Sequence, residues 1–187
     1  MPAETSTEDP KPTEKDTYRG LFGAFPYAFR ASDSWLFRSY VVVGGLAALL
    51  LSVVFALALI RLFGATARAR FSVVRAFFFL VGLAAVAPTI APVLLVARSR
   101  RREIARAPGY EAGLALAGYL FLASLYLGLV AAMPETFTLD GETITRPPPT
   151  GAFAPAISFL YGVPQAVGAL FPVLGAALIA LVHRLRG

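Results

Sequence analysis

Four uncharged stretches set the pattern of this chain: Ser39 to Ile60, Ala76 to Ala97, Ala112 to Pro134, and Pro147 to Val182. A bilayer-spanning helix takes roughly 20 apolar residues, so each stretch can cross a membrane. The pattern predicts spans at about 35–63, 71–97, 110–133 and 164–185. Ser32-Asp33-Ser34 offers three N-cap residues before the first span, and Arg61 and Gly64 mark its end. Pro88 and Pro92 lie inside the second span, where each removes a backbone donor and predicts a kink that neighbours or Thr89 can satisfy. The fourth stretch is too long for one span. Pro164 suits a first helical position, which leaves residues 154–161 as a short re-entrant or interfacial segment, and Phe171-Pro172 predicts a further bend. The alternative is one continuous Pro-kinked helix.

Outside the spans the pattern changes character. Residues 1–17 are rich in Glu, Lys, Thr and Pro, have little to bury, and read as a disordered acidic tail. Residues 18–34 place Tyr18, Phe22, Phe25 and Phe29 on one helical face, an interfacial amphipathic segment that Pro26 is expected to divide. With Trp35 this aromatic set forms a belt at the membrane edge, and Phe22, Phe25, Phe29 and Trp35 are candidates for partner docking. The one sizeable polar connection alternates from Thr136 to Thr145 about Asp140-Gly141, the signature of a hairpin with a two-residue turn. Small residues recur four apart at Gly113 and Ala117 and again at Gly128 and Ala132, a spacing that lets helices approach closely.

Composition agrees with a membrane class: 57% of the 187 residues are hydrophobic and the mean hydropathy is +0.68. The net charge of +6 changes the picture only through its placement. The first 17 residues are acidic, and the arginines flank the apolar runs, five of them between Arg98 and Arg106. Such charges anchor and orient helices, so nucleic-acid binding is not expected. With four spans, both termini share a side with Arg19, Arg30, Arg38, Arg98, Arg100, Arg101, Arg102, Arg106, Arg184 and Arg186. The other side has Arg61, Arg68, Arg70, Arg75 and Arg146. The positive-inside rule then puts both termini in the cytoplasm, with the chain a multi-pass protein of the cell membrane. Arg98, Arg100, Arg101, Arg102 and Arg106 are candidates for contact with lipid headgroups.

Chemistry is sparse. There is no cysteine and one histidine, His183 at a helix end, which argues against zinc, a transmembrane haem and Ser/His/Asp catalysis. The spans hold no ionisable acid, base or Gly-rich phosphate loop in their cores, so no enzyme, cofactor or metal is expected. Glu135, Asp140 and Glu142 match no calcium-loop spacing and read as a solvated turn. Gln165, the lone amide side chain, either hydrogen-bonds between helices or lines a solute path with Tyr161, Ser158 and Thr89.

The run Phe25-Pro26-Tyr27-Ala28-Phe29-Arg30-Ala31-Ser32-Asp33-Ser34-Trp35, leading into Gly44-Gly45, resembles an uncharacterised archaeal membrane-protein family. There, an aromatic Pro-x-x-Phe-Arg segment with an acidic residue and Trp leads into the first span. The acidic tail and Arg/Ala-rich spans are similar to small halophilic archaeal membrane proteins. This resemblance covers about 20 residues and implies no activity. The expected fold is all-α, four transmembrane helices with an N-terminal interfacial aromatic segment. The expected function is a structural or accessory subunit packing against lipids and partner membrane proteins as a homo- or hetero-oligomer. A small oligomeric channel or transporter for a neutral solute, built on Gln165 and the Pro-broken helices, is the alternative.

Overall fold

The computed structural model describes residues 20–65, 73–139 and 141–187. The acidic tail, Tyr18, Arg19, Arg68, Arg70 and Asp140 lie outside them. The described chain is all-α apart from one hairpin. Its order is α1 (Gly20–Ala31), α2 (Trp35–Ala65), α3 (Val73–Arg101), α4 (Tyr110–Ala131), β1 (Thr136–Leu139), β2 (Glu142–Thr145), α5 (Ala154–Tyr161), α6 (Gln165–Gly168) and α7 (Leu170–Arg186). Four helical stretches are long and apolar enough to cross a membrane: Trp35–Gly64, Ala76–Arg101, Tyr110–Ala131 and Gln165–Arg186. This is the architecture of a multi-pass membrane protein.

The boundaries follow local chemistry. Ser34 Oγ accepts the Phe37 N–H at 3.3 Å and caps α2. Helix α3 runs past the expected end at Ala97 to Arg101, because arginines are good helix formers and complement the negative C-terminal end of a helix. Pro164 stands outside the helix as a cap, with φ −54° and ψ 134°, rather than as its first residue. The bend expected at Phe171-Pro172 appears three residues earlier, at Ala169 between α6 and α7. Pro172 has no N–H to offer the Gly168 carbonyl one turn back. Residues 154–161 form the separate short helix α5, with a proline in its first turn.

Helix α4 is central. Of its most apolar window 44% is buried, against 17% for the corresponding windows of α2 and of α6–α7. It packs most extensively on α7, antiparallel, along a seam of small residues. A methyl on Gly113 would come within 3.3 Å of Val182, and one on Gly175 within 3.0 Å of the Phe121 Cα. At the far end the backbones touch directly: a methyl on Gly128 would lie 2.7 Å from the Gly168 carbonyl, and one on Gly168 would lie 3.1 Å from Ala132 Cβ. Gly113 and the Gly128–Ala132 pair therefore face its partner, and Ala117 is buried.

Burial divides the bundle along its length. Near the arginine end, Phe37, Tyr40, Val41, Val93, Val96, Ala97, Leu114 and Phe121 form one core with Ala24 and Ala28 of α1. Among the described side chains, none of α2 beyond Ala48 is buried, and of α3 before Thr89 only Gly82 is. These stretches meet each other, with the Phe55 and Phe78 rings edge-on at 6.3 Å and Phe55 seated on Gly82. Helix α2 packs on α3 and α4 but does not reach α7. The result is a two-helix arm leaving a packed base, and Pro88 sits at the branch.

The aromatic segment corrects one expectation, its division at Pro26. Helix α1 is one helix with Pro26 inside it, because Ala24 and Ala28 are fully buried against the core and pin both sides of the proline. The carbonyl freed by Pro26 is that of Phe22, one turn back on the exposed side, where Phe22 is 88% exposed. The segment is also docked on its neighbours. It folds back along the start of α2, with Phe29 under Arg38 and Phe25 against Gly45, and packs on α3. Its buried face is the alanine face, not the aromatic one.

Candidate functional site

At the arginine end, the turn between α1 and α2 docks on the start of α4. Fully buried Ser32 donates through Oγ to Glu111 Oε2 at 2.5 Å and accepts the Ser34 N–H at 3.1 Å. Its carbonyl accepts Arg38 Nε at 2.8 Å. Arg100, in the last turn of α3, donates Nε to Glu111 Oε1 at 2.7 Å and reaches Asp33 at 3.3 Å. One carboxylate in the first turn of α4 thus ties α3 and α4 to the α1–α2 turn, and it also favours the positive N-terminal end of its own helix. The Arg100–Asp33 pair is exposed and worth at most about 1 kcal/mol. The Glu111 side chain is 15% exposed, and a hydrogen bond to a charge in such a place contributes about 1.5–3 kcal/mol.

A second knot closes the loop after α3 onto α7. Arg106 donates to Ser99 Oγ at 3.1 Å and to the Gly187 carbonyl, and its guanidinium lies 5.2 Å from the Tyr110 ring centre. Tyr110, almost fully buried, hydrogen-bonds His183 Nδ1 at 2.7 Å. Gly109, at φ 77°, caps α4 in the left-handed conformation. Between the two knots lies a cavity of about 390 Å³, lined by Asp33, Ser99, Arg100, Arg106, Tyr110 and Glu111 among others.

Mid-bundle hydroxyls find their partners within the protein. Tyr40 inserts its ring against Gly118, where any side chain would overlap it, and donates to the Thr89 carbonyl at 2.7 Å. Its ring meets Tyr119 edge-on at 5.1 Å, and Tyr119 shares a hydrogen bond with Ser39 at 2.9 Å. Thr89, Ser52 and Ser124 return their own hydroxyls to carbonyls of their own helices.

The opposite end is organised by Arg146. Its N–H closes the base of the hairpin on the Glu135 carbonyl at 2.9 Å. Its guanidinium bonds the Met133 carbonyl at 3.3 Å, pairs with Glu135 at 3.8 Å and stacks 4.1 Å from the Tyr161 ring centre. The strands pair antiparallel, Phe137 opposite Ile144 and Thr136 opposite Thr145, and touch no helix at backbone distance. A cavity of about 450 Å³ opens here, lined by Met133, Glu135, Arg146, Tyr161 and Gln165. A third, apolar groove of about 530 Å³ separates the α3 arm from α7, between Leu83, Ala87, Pro88, Pro172 and Val173.

Both ends and the groove fall within a single family match: the model for Domain of unknown function (DUF8056) covers residues 8–187. The chain belongs to this family. Comparisons with curated proteins and with solved structures give no match.

In this DUF8056 chain the four candidates for a solute path do not converge. Gln165 and Tyr161 line the Arg146 cavity, Ser158 is exposed outside it, and Thr89 is buried under Tyr40. Among the described residues Gln165 makes no side-chain hydrogen bond to another helix, so the interhelical role is not realised either. The five loop arginines differ: half-buried Arg106 bonds Ser99 and Gly187, exposed Arg100 pairs with Glu111 and Asp33, and Arg98, Arg101 and Arg102 are also exposed. His183 is half-buried on Tyr110. The docking candidates divide as well, with Phe22 and Trp35 strongly exposed, Phe29 partly so, and Phe25 packed on Gly45. Among the described residues no group of His, Cys, Asp and Glu could hold a metal ion. The Glu111 hub was missed, although an acid in a first helical turn within reach of an arginine-rich loop is a signal available in the sequence.

Proposed function

We propose that this chain is a structural or accessory subunit of the cell membrane, non-catalytic, with its termini and arginine end in the cytoplasm. Its partners are lipids and other membrane-protein chains, in a homo- or hetero-oligomer. The carrying observation is the arm: a stretch of α2 with no buried residue, attached to a base that is fully knit. Leu46, Leu50, Val53, Leu57 and Ile60 are all exposed, at alternating steps of four and three that bring them to one side. That repeat suits the seam between two helices packed at a small crossing angle.

The absence of native cysteine makes the test direct. A single Leu50→Cys chain cross-linked in its own membrane is expected to give a defined adduct with a partner chain, and Leu181→Cys on α7 none. A monomeric particle after mild extraction, with no adduct from Leu50→Cys, would sink the reading. Orientation is read separately with an impermeant thiol reagent on intact cells, which should label Thr143→Cys on the hairpin and spare Ala105→Cys in the arginine loop.

A further inference from the structure

We propose that the chain packed on the arm is a second copy of this one, with the two α2 helices side by side and parallel along Val43, Leu46, Leu50, Val53, Leu57 and Ile60; this rests on the arm being an interface between chains. All six side chains are exposed, between 43% and 66%. They succeed one another at three, four, three, four and three residues, the a and d positions of a heptad repeat. No other heptad register of α2 over this length is free of Gly, Ala and Ser. The helix already makes one seam of this kind within the chain. Ser52, Phe55 and Leu59 repeat at three and four and border one recess with Phe78 and Gly82 of α3. Phe55 sits on that Gly82. Leu50, Val53 and Leu57 each lie two residues before one of these three, about 200° around the helix, so the exposed repeat faces away from α3.

Copies inserted in one membrane share an orientation, so their α2 helices run parallel and each position of the repeat stands level with its own counterpart. An unlike chain would need a matching repeat, whereas a second copy supplies it by symmetry. From Val43 to Ile60 the seam is about 26 Å long, close to the roughly 30 Å of the hydrocarbon layer. Covering about 100 Å² at each of its positions removes about 1,200 Å² over the two copies, above the roughly 1,000 Å² that marks a specific interface. No charge interrupts the seam. Arg38, before it, is held by the Ser32 carbonyl and the Phe29 ring. Arg61 follows the last position toward the end of the span, where salt and water screen the repulsion between its two copies.

The test is disulfide formation, in the native membrane, between two co-expressed full-length copies that carry tags of different size. Two cysteines bridge only with their Cα atoms within about 7 Å, which facing positions of helices about 8–10 Å apart satisfy. Leu46→Cys in both copies, and separately Ile60→Cys in both, are each expected to give an adduct containing both tags. Each should exceed Leu59→Cys, on the α3 side, by at least about five-fold. Leu46→Cys in one copy with Ile60→Cys in the other should give none, because the two stand about 21 Å apart along parallel helices. Monomer of every variant in the membrane fraction shows that the chain was present to react. Adducts with an unlike chain alone overturn the assignment to a second copy while leaving the arm an interface. An adduct from the mixed pair overturns the parallel seam, and no adduct at either position overturns both the seam and the interface.

Discussion

The base and the arm of this bundle are made of the same apolar residue types, yet they differ in what holds them. In the base, Tyr40 is fitted into Gly118, Glu111 joins α3 and α4 to the α1–α2 turn, and alanines of α1 close the side. In the arm, Phe55 against Gly82 is the principal contact and leucines face outward. Hydrophobicity does not distinguish them, because lipid solvates leucine as well as a protein core does. What distinguishes them is fit: small residues that admit a neighbouring backbone, and polar groups that find partners across helices.

That comparison can be broken by measurement. The largest effect is expected at Gly118→Ala, where the new methyl overlaps the Tyr40 ring held by Thr89, for about 3 kcal/mol lost in unfolding experiments in detergent. Gly64→Ala in the arm, with nothing near its Cβ, should change stability by less than about 0.5 kcal/mol. Leu114→Ala should cost about 2 kcal/mol, at the low end for a buried leucine because the helix stays in an apolar phase, and Leu57→Ala should cost almost nothing in the isolated chain. Comparable losses at Leu114 and Leu57 would erase the distinction between base and arm. Tyr40→Phe, which leaves the Thr89 carbonyl without its cross-helix donor, should cost about 1 kcal/mol. The smallest effect is expected from Gln165→Leu, which should leave solute permeability of reconstituted liposomes unchanged; a loss of flux would restore the channel reading.

Much of this architecture is legible in the sequence. The four spans, the hairpin about Gly141 and the separate helix at Ala154–Tyr161 follow from apolar run length, strand alternation and proline placement. What could not be read is which face of each helix is buried. The apolar residues run all round α2 and α4, since no face meets water, so periodicity carries no direction there. In α1 the visible stripe was aromatic, but the packing stripe is Ala24 and Ala28, whose small size rather than hydrophobicity does the work. The pairing of Arg100 was hidden in part for a related reason: it depends on Asp33, 67 residues away, arriving beside Glu111 on one side of Arg100.

Pro88 gives the arm a mechanical character. From Val73 to Pro88, α3 extends roughly 24 Å at 1.5 Å per residue, and its helical ladder is interrupted where that length begins. A rotation of about 10° at the proline moves the tip by about 4 Å, close to half the spacing between packed helices. Load applied to the tip would therefore be taken up as bending at the proline, while the base stays undeformed.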